Sequence, residues 1–341
     1  MAESSFLWIS ESDVVSLIDM KQAMAALEKG LLAEARGEAT NMVKTHVQWG
    51  AHDTLHALGA VFPKTGFVGT KTWSHTKGGA IPLLILYDSN NGALKAIIEA
   101  FALGQMRTAG ASGVCTQRLS AADAQEFAII GTGKQALPQV AAVLAVRSIR
   151  RIRVFSPNAE HRNQFAARLR EAFDVDVVAT GSASEAVQHA AIITLATRAR
   201  EPFLSADMLE TGAHINAVGA IVPSRAEISS DVIARCTRIV ADSVTQAQSL
   251  SRELTEFFGT DSAKWASVES LANLVASRAE RTPLDDVTLF KSLGMGISDL
   301  SLGIEIYQRA VERGRGSRFP HPQKVAWRFA RAESEKNRAG A

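Results

Sequence analysis

Three cations in this chain sit in surroundings that call for a chemical reason. Lys71 lies inside the alternating run Gly69-Thr70-Lys71-Thr72-Trp73. Lys44 precedes a second strand-like run, in Val43-Lys44-Thr45-His46. Arg107 stands among apolar and small residues, in Gln105-Met106-Arg107-Thr108-Ala109. Burying an unpaired cation is costly, and an anionic substrate would offset that cost. Arg107 can hold a carboxylate with a two-pronged guanidinium grip. A lysine desolvated beside other cations acquires a lowered pKa and can move protons near neutral pH. For Lys44 and Arg107 the alternative is surface exposure or an internal salt bridge.

A second chemistry is written in Ile129-Ile130-Gly131-Thr132-Gly133-Lys134-Gln135-Ala136. A strand, a glycine turn and a helix start suit a dinucleotide pyrophosphate. Gly131 permits the tight turn, Gly133 lets the backbone approach the phosphates, and Ala136 lets helix and strand pack closely. Free N–H groups at the helix start then face the anion. Alone, such a turn could be an ordinary loop. The next strand ends in Val154-Phe155-Ser156-Pro157-Asn158, with His161 and Arg162 close behind. An NAD site usually has a carboxylate at that strand end for the ribose 2′-OH. A hydroxyl, an amide and a guanidinium suit a 2′-phosphate better, so NADP(H) is favoured, with NAD(H) as the alternative. On that alternative Arg162 only decorates the following helix.

The elements that must position these residues fall into two groups. Asp19, with Gln22 three residues on, predicts a capped helix whose Met20, Met24, Leu27 and Leu31 share a face, with Gly37 as its stop. Strand patterns follow from about residue 43 to residue 98, broken by the turn Asp88-Ser89-Asn90-Asn91-Gly92. Residues 103–119 read as a helix carrying Arg107. This first region is expected to be α+β, with an antiparallel sheet. After Ala124 strands and helices alternate, with strands expected at residues 127–130, 152–155, 175–178, 191–195, 214–218 and 239–241. That alternation predicts an α/β parallel sheet covered on both faces, and it supplies the context the glycine turn needs. Residues 297–313 and 323–335 read as helices, and the basic run over 313–318 as solvated surface.

Composition narrows the function classes. A formal net charge of +2, with no stacking aromatics among the arginines, does not mark a nucleic-acid binder. The two cysteines, Cys115 and Cys236, make no disulfide framework and suit small buried positions. No signal-peptide pattern opens the chain, and the longest apolar run, residues 81–87, is too short to span a membrane. A cytoplasmic protein is expected.

Several segments in order make the chain similar to the ornithine cyclodeaminase/mu-crystallin family. They are Gly69-Thr70-Lys71, Asp88 with Gly92-Ala93-Leu94, Arg107-Thr108-Ala109-Gly110-Ala111-Ser112 and the 131–136 turn. Then come Gly212-Ala213-His214-Ile215-Asn216-Ala217-Val218-Gly219-Ala220 and Phe290-Lys291-Ser292-Leu293-Gly294-Met295-Gly296. The resemblance covers nearly the whole chain. It implies an α/β protein with a Rossmann-type dinucleotide-binding domain over residues 122–304 and an α+β substrate-binding and dimerisation domain over residues 1–121. Helices from about residues 305–341 return to the latter. It further implies a homodimer with its active site in the interdomain cleft.

By that resemblance Lys71 and Arg107 are the catalytic pair, and Lys44 joins them in binding the substrate. Family members commonly carry arginine near position 44. The implied cofactor set comprises Thr108, Gly131, Thr132, Gly133, Lys134, Gln135, Ala136, Ser156, Asn158, Arg162, Ala196, Thr197, Val218, Gly219, Lys291 and Ser292. One departure matters. Cyclodeaminases place an aspartate shortly after the glycine matching Gly219, and this chain has Ile221 there. Isoleucine can neither carry a proton nor pair with a substrate ammonium. The expectation is therefore an NAD(P)H-dependent ketimine reductase or amino-acid dehydrogenase, turning a small imine carboxylate into an L-amino acid. The alternatives are a cyclodeaminase with a relocated acid, for which Glu99 is a candidate, or a mu-crystallin-like NADPH-binding protein with little turnover. Trp73, His75 and Trp49 are either pocket walls or core and loop residues.

Overall fold

The computed structural model describes residues 5–50 and 53–327, and two sheets organise them. The first sheet has nine strands. Its main path runs Ser317–Pro320, Ser5–Ile9, Leu94–Glu99, Leu83–Asp88, Phe67–Thr76, Asp53–Phe62 and Thr40–Asn41. Thr45–Trp49 also pairs with Asp53–Phe62, and Gly79–Ala80 with Phe67–Thr76. One pair corrects the expectation of a wholly antiparallel sheet: Ser5–Ile9 runs parallel to Leu94–Glu99. A parallel pair needs a long crossover, and two helices and the intervening strands supply it here.

Three long helices pack on one another, and one of them lies directly on this sheet. Met20–Ala35 starts at the capping box, in which Gln22 N donates to Asp19 Oδ1 at 2.8 Å and Asp19 N donates to Gln22 Oε1 at 3.1 Å. Phe101–Leu119 carries Arg107 in its second turn. Gly296–Glu312 crosses the inner face, contacting Asp53–Phe62, Phe67–Thr76 and Leu83–Asp88. It lies very close to the sheet: an ideal Cβ at Gly296 would stand 1.9 Å from the Gly59 carbonyl oxygen. Leu27, Leu31, Leu84, Leu86, Ile98, Leu300 and Ile306 form the core between. The chain then returns to the sheet edge, where Ser317–Pro320 pairs with Ser5–Ile9. The helix expected over 323–335 is not found at residues 323–327, which have no regular secondary structure; residues 328–341 lie outside the described residues. Pro322 disfavours helical backbone at His321 just before this segment.

The second sheet has eight strands, all parallel. They run Asp176–Ala179, Arg151–Phe155, Glu126–Ile130, Ile192–Leu195, His214–Ala217, Val287–Lys291, Cys236–Ala241 and Val268–Ser270. Both faces are covered, so consecutive apolar residues all find partners. Phe127 and Ile129 enter one core, Ala128 and Ile130 the other. From Glu126–Ile130 the chain winds outward to Asp176–Ala179, then returns to the opposite side at Ile192–Leu195. This reversal is the switch point at which open α/β sheets form a ligand crevice, beyond the carboxyl ends of the strands. The fold is thus a Rossmann-type parallel sheet joined to a mixed α+β sheet. No helix among the described residues is long and apolar enough to cross a membrane.

Candidate active site

A cleft of about 1060 Å³ opens where the two sheets face each other. The first sheet contributes Lys71, Trp73 and His75, and its helix Phe101–Leu119 contributes Phe101, Gly104 and Arg107. The parallel sheet contributes the loops beyond its strand ends, including Gly131, Ser156, Thr197 and Gly219. A shallower depression of about 750 Å³ near Ile149, Arg170 and Asp176 lies at the outer edge of the parallel sheet, away from these groups.

Lys71 is 4 % exposed, and its Nζ donates to Asp299 Oδ1 at 2.5 Å. Arg107 Nε donates to the same oxygen at 3.1 Å. Asp299 is fully buried, and its Oδ2 has no hydrogen-bond partner. Burial pushes the Lys71 ammonium down to about 8. The Asp299 carboxylate opposes that fall, while Arg107 and Lys44 add to it. Lys71 Nζ also stands 5.1 Å from the Trp73 ring centroid. His56 stacks on Trp73 at 4.7 Å, and desolvation followed by the charge of Lys44 brings its imidazole down to about 4. The His56–Trp73 stack beside Lys71 is therefore uncharged at neutral pH.

Asp299 is absent from the residues picked out by the sequence reading. It lies 228 positions from Lys71, in the first turn of Gly296–Glu312, where an acid ordinarily complements the helix dipole. The available signal was its face. Asp299 shares a stripe with Gly303, Ile306 and Ala310, all buried, so it is an acid on the side of the helix that meets the core. Asp242 was also missed. Its buried carboxylate accepts N–H bonds from Leu293 and Gly294 and a hydroxyl bond from Ser292. It thereby shapes the loop against which the Arg107 guanidinium packs, where a Gly294 Cβ would come within 2.8 Å of Nη1.

The glycine turn offers a cradle. Gly131 has φ of +104°, and a Cβ there would stand 2.4 Å from the Ala196 carbonyl oxygen across the switch point. A Cβ on Gly133 would instead meet nothing within 4 Å, so that side of the turn is open. Helix Ala136–Val146 starts with no side-chain cap; Ala136 N–H donates to the Gly133 carbonyl at 3.0 Å and Pro138 has no N–H, which leaves the Leu137 N–H of the first turn for a ligand. Gln135 Oε1 is buried without a partner. These features fit a dinucleotide pyrophosphate.

The predicted residues divide into two groups. Lys71, Arg107, Gly131, Thr132, Gly133, Lys134, Gln135, Ser156, Ala196, Thr197, Val218 and Gly219 line one cleft, with Trp73, His75, His161 and Ile221. Others are set back from it by bonds of their own. Thr108 Oγ1 donates to Gly104 O within its helix, and Asn158 caps the next helix by accepting from His161 N. Arg162 donates to the Ser156 carbonyl and lies over the Phe155 ring. Lys291 is buried against Glu253, Ser292 is bonded to Asp242, and Ala136 packs at its helix start. Lys44 is half-buried outside the cleft lining; desolvation, then Arg107, lowers its pKa. Trp49 faces away from the cleft on the opposite side of the sheet, and Glu99 holds Trp8 Nε1 and Glu11 N.

Comparison with known proteins agrees with this architecture. Δ1-Pyrroline-2-carboxylate reductase from Bacillus cereus is 33 % identical over 271 residues, covering 78 % of this chain and 81 % of its own. Mouse ketimine reductase mu-crystallin is 30 % identical over 66 % of this chain and 68 % of its own. The solved structure of Δ1-pyrroline-2-carboxylate reductase from Thermococcus litoralis, in complex with NADH and L-proline, aligns with a TM-score of 0.85. It is 28 % identical and covers 92 % of this chain and 99 % of that one. Residues 7–314 match one family throughout: the chain belongs to the ornithine cyclodeaminase/mu-crystallin family.

Proposed function

We propose that this protein is a nicotinamide-dependent imine reductase that converts a small imine carboxylate into an L-amino acid. The observation that carries the reading is Lys71, a buried ammonium held by Asp299 at 2.5 Å and opening onto the cleft that the glycine turn also lines. The bound cofactor would supply a hydride to the imine carbon. Arg107 spends Nε on Asp299 and keeps Nη1 and Nη2 for the substrate carboxylate. Lys71 gives its proton to the imine nitrogen, so one hydride and one proton turn C=N into CH–NH. With its pKa near 8, Lys71 is mostly ammonium at neutral pH yet parts with its proton readily. Trp73 and His75 line the cleft beside it.

Ile221 supports reduction over cyclodeamination. It lines the cleft where that reaction needs an acid, and Glu99 is engaged elsewhere. Glu201 is the single carboxylate lining the cleft among the described residues, and it pairs with Arg252. NADP(H) is the proposed cofactor, with NAD(H) as the alternative. Ser156 occupies the strand end where a carboxylate would repel a 2′-phosphate, and His161 lines the cleft beside it.

The protein acts as a homodimer on this reading. The sheet face turned away from the cleft carries exposed Val47, Leu55, Val61 and Tyr87, an apolar surface suited to a second copy. Leu55→Glu should convert a dimer into a monomer on gel filtration.

The activity test mixes NADPH or NADH with Δ1-pyrroline-2-carboxylate, Δ1-piperideine-2-carboxylate and 2-oxo acids plus an amine. Oxidation of the cofactor with formation of the L-amino acid is expected. If every member leaves the cofactor reduced, the reading fails. Ammonia release from ornithine without net cofactor use would install the cyclodeaminase instead.

A further inference from the structure

Beneath the cleft floor, three ionisable side chains are withdrawn from water: Lys291 and Glu253 form an ion pair, and Glu253 reaches Glu227 through its main chain. Lys291, at the end of Val287–Lys291, is fully buried with Nζ 2.6 Å from Glu253 Oε2. Ser251 Oγ donates to that same oxygen at 3.2 Å. Glu253 Oε1 accepts the Glu227 main-chain N–H at 2.8 Å. The Glu227 carboxylate, also fully buried, then accepts four bonds. Oε1 takes the Thr197 N–H at 2.8 Å and the Thr197 hydroxyl at 2.7 Å. Oε2 takes the N–H groups of Gly219 at 2.9 Å and Ala220 at 3.1 Å.

These four donors belong to two loops. Thr197 follows Ile192–Leu195, and Gly219 and Ala220 follow His214–Ala217, the adjacent strand. Thr197 and Gly219 both line the cleft. Nothing separates the carboxylate from the loop above it: a Cβ on Gly219 would stand 2.4 Å from Glu227 Oε1 and 2.3 Å from the Thr197 carbonyl. A neutral side chain could not do the same work. An ionised carboxylate accepts at both oxygens, whereas an amide turns two hydrogens towards N–H donors. Burying that charge is expensive, and no cation forms an ion pair with Glu227 among the described residues. The four donors are its compensation.

We propose that Glu227 is the positioning residue for the cofactor half of the cleft. It clamps the two strand-end loops in the spacing that receives the nucleotide. Lys291 and Glu253 fix the Glu227 main chain from below. This gives Lys291 a role through Glu253 in place of direct cofactor contact. The inference rests on the dinucleotide reading of the cleft.

The test compares wild type with Glu227→Gln, Glu227→Asp, Lys291→Met and the double variant Lys291→Met/Glu253→Gln. Binding of NADPH and NADH is titrated by nucleotide fluorescence without any imine, and each ligand-free protein is melted. Glu227→Gln should weaken nucleotide binding about tenfold or more. Its KM for the imine at saturating cofactor should stay within about twofold, a split that general destabilisation would not produce. Glu227→Asp keeps the charge with a shorter reach and should fall between. Lys291→Met leaves Glu253 without its counter-charge and should also weaken binding, and adding Glu253→Gln should restore part of it. Wild-type nucleotide affinity in both Glu227→Gln and Lys291→Met would overturn the proposal. A failure of Glu227→Gln to fold leaves the Lys291 pair to decide it. If the wild-type protein itself binds neither nucleotide, the functional reading falls, a result distinct from the failure of this inference.

Discussion

One buried carboxylate decides what Lys71 can do. Among the described residues acting on Lys71, Asp299 favours its charged form, while burial, Arg107 and Lys44 oppose it. Replacing Asp299 with Asn removes the counter-charge but keeps the shape. The Lys71 pKa should then drop well below about 8, and the ammonium proposed to donate the proton should be scarce at neutral pH. In the wild-type enzyme kcat/KM should fall as pH rises through about 8, because the proposed proton donor is being lost. In Asp299→Asn that alkaline limb should move down by at least about one pH interval, with kcat at neutral pH reduced about tenfold or more. Lys71→Met should abolish reduction while leaving NADPH binding near wild type. An unmoved alkaline limb in Asp299→Asn would show that Lys71 is not the titrating donor.

The contact between Lys71 and Asp299 exists because helix Gly296–Glu312 lies unusually close to its sheet. Gly296 faces the backbone of Gly59, and a Cβ there would come within 1.9 Å of a carbonyl that cannot swing aside. Gly296→Ala should lift the helix start, cost about 3 kcal/mol of stability, and separate Asp299 from Lys71. Gly133→Ala is the counter-case: its Cβ enters open space, so the fold should be untouched. Its methyl group would occupy the proposed phosphate cradle, so nucleotide affinity should fall sharply. Thermal melts together with nucleotide titrations separate the two outcomes, and equal melting points for both variants would contradict the packing argument. The same contrast explains what the sequence could reveal. The turn around Gly131 was legible because its residues are neighbours in the chain and follow an apolar strand. The packing of Gly296 on Gly59 was not, since no local pattern links positions so far apart.

At the scale of the whole molecule, the parallel sheet was largely readable and its joining to the first sheet was not. Ile192–Leu195 is buried throughout, and Arg151–Phe155 alternates with Ile152 and Val154 buried, so both announce themselves. Val287–Lys291 ends in a lysine that looks like a surface residue until Glu253 is seen beside it, and Val268–Ser270 is too short to signal. The junction itself is made of polar residues from distant segments. His214 contacts Thr288 Oγ1 at 2.9 Å and Asn216 Oδ1 at 3.3 Å, and Asn216 Nδ2 donates to Thr116 Oγ1 on helix Phe101–Leu119. Desolvation, helped by Arg281 and Arg147, brings the His214 imidazole down to about 3 from 6.5. The folded protein therefore keeps this ring neutral at pH values where the unfolded chain protonates it. Its contribution is fully present above the unfolded value of 6.5 and is lost as pH falls towards the folded value near 3. By about pH 5 the loss should reach about 2 kcal/mol, enough to lower the melting temperature by several degrees. His214→Asn cannot titrate; it should be less stable than wild type at neutral pH but should lose less stability on acidification. Melting both proteins between neutral pH and about pH 5 checks this. Parallel losses in the two would mean that the junction is not where acid first acts.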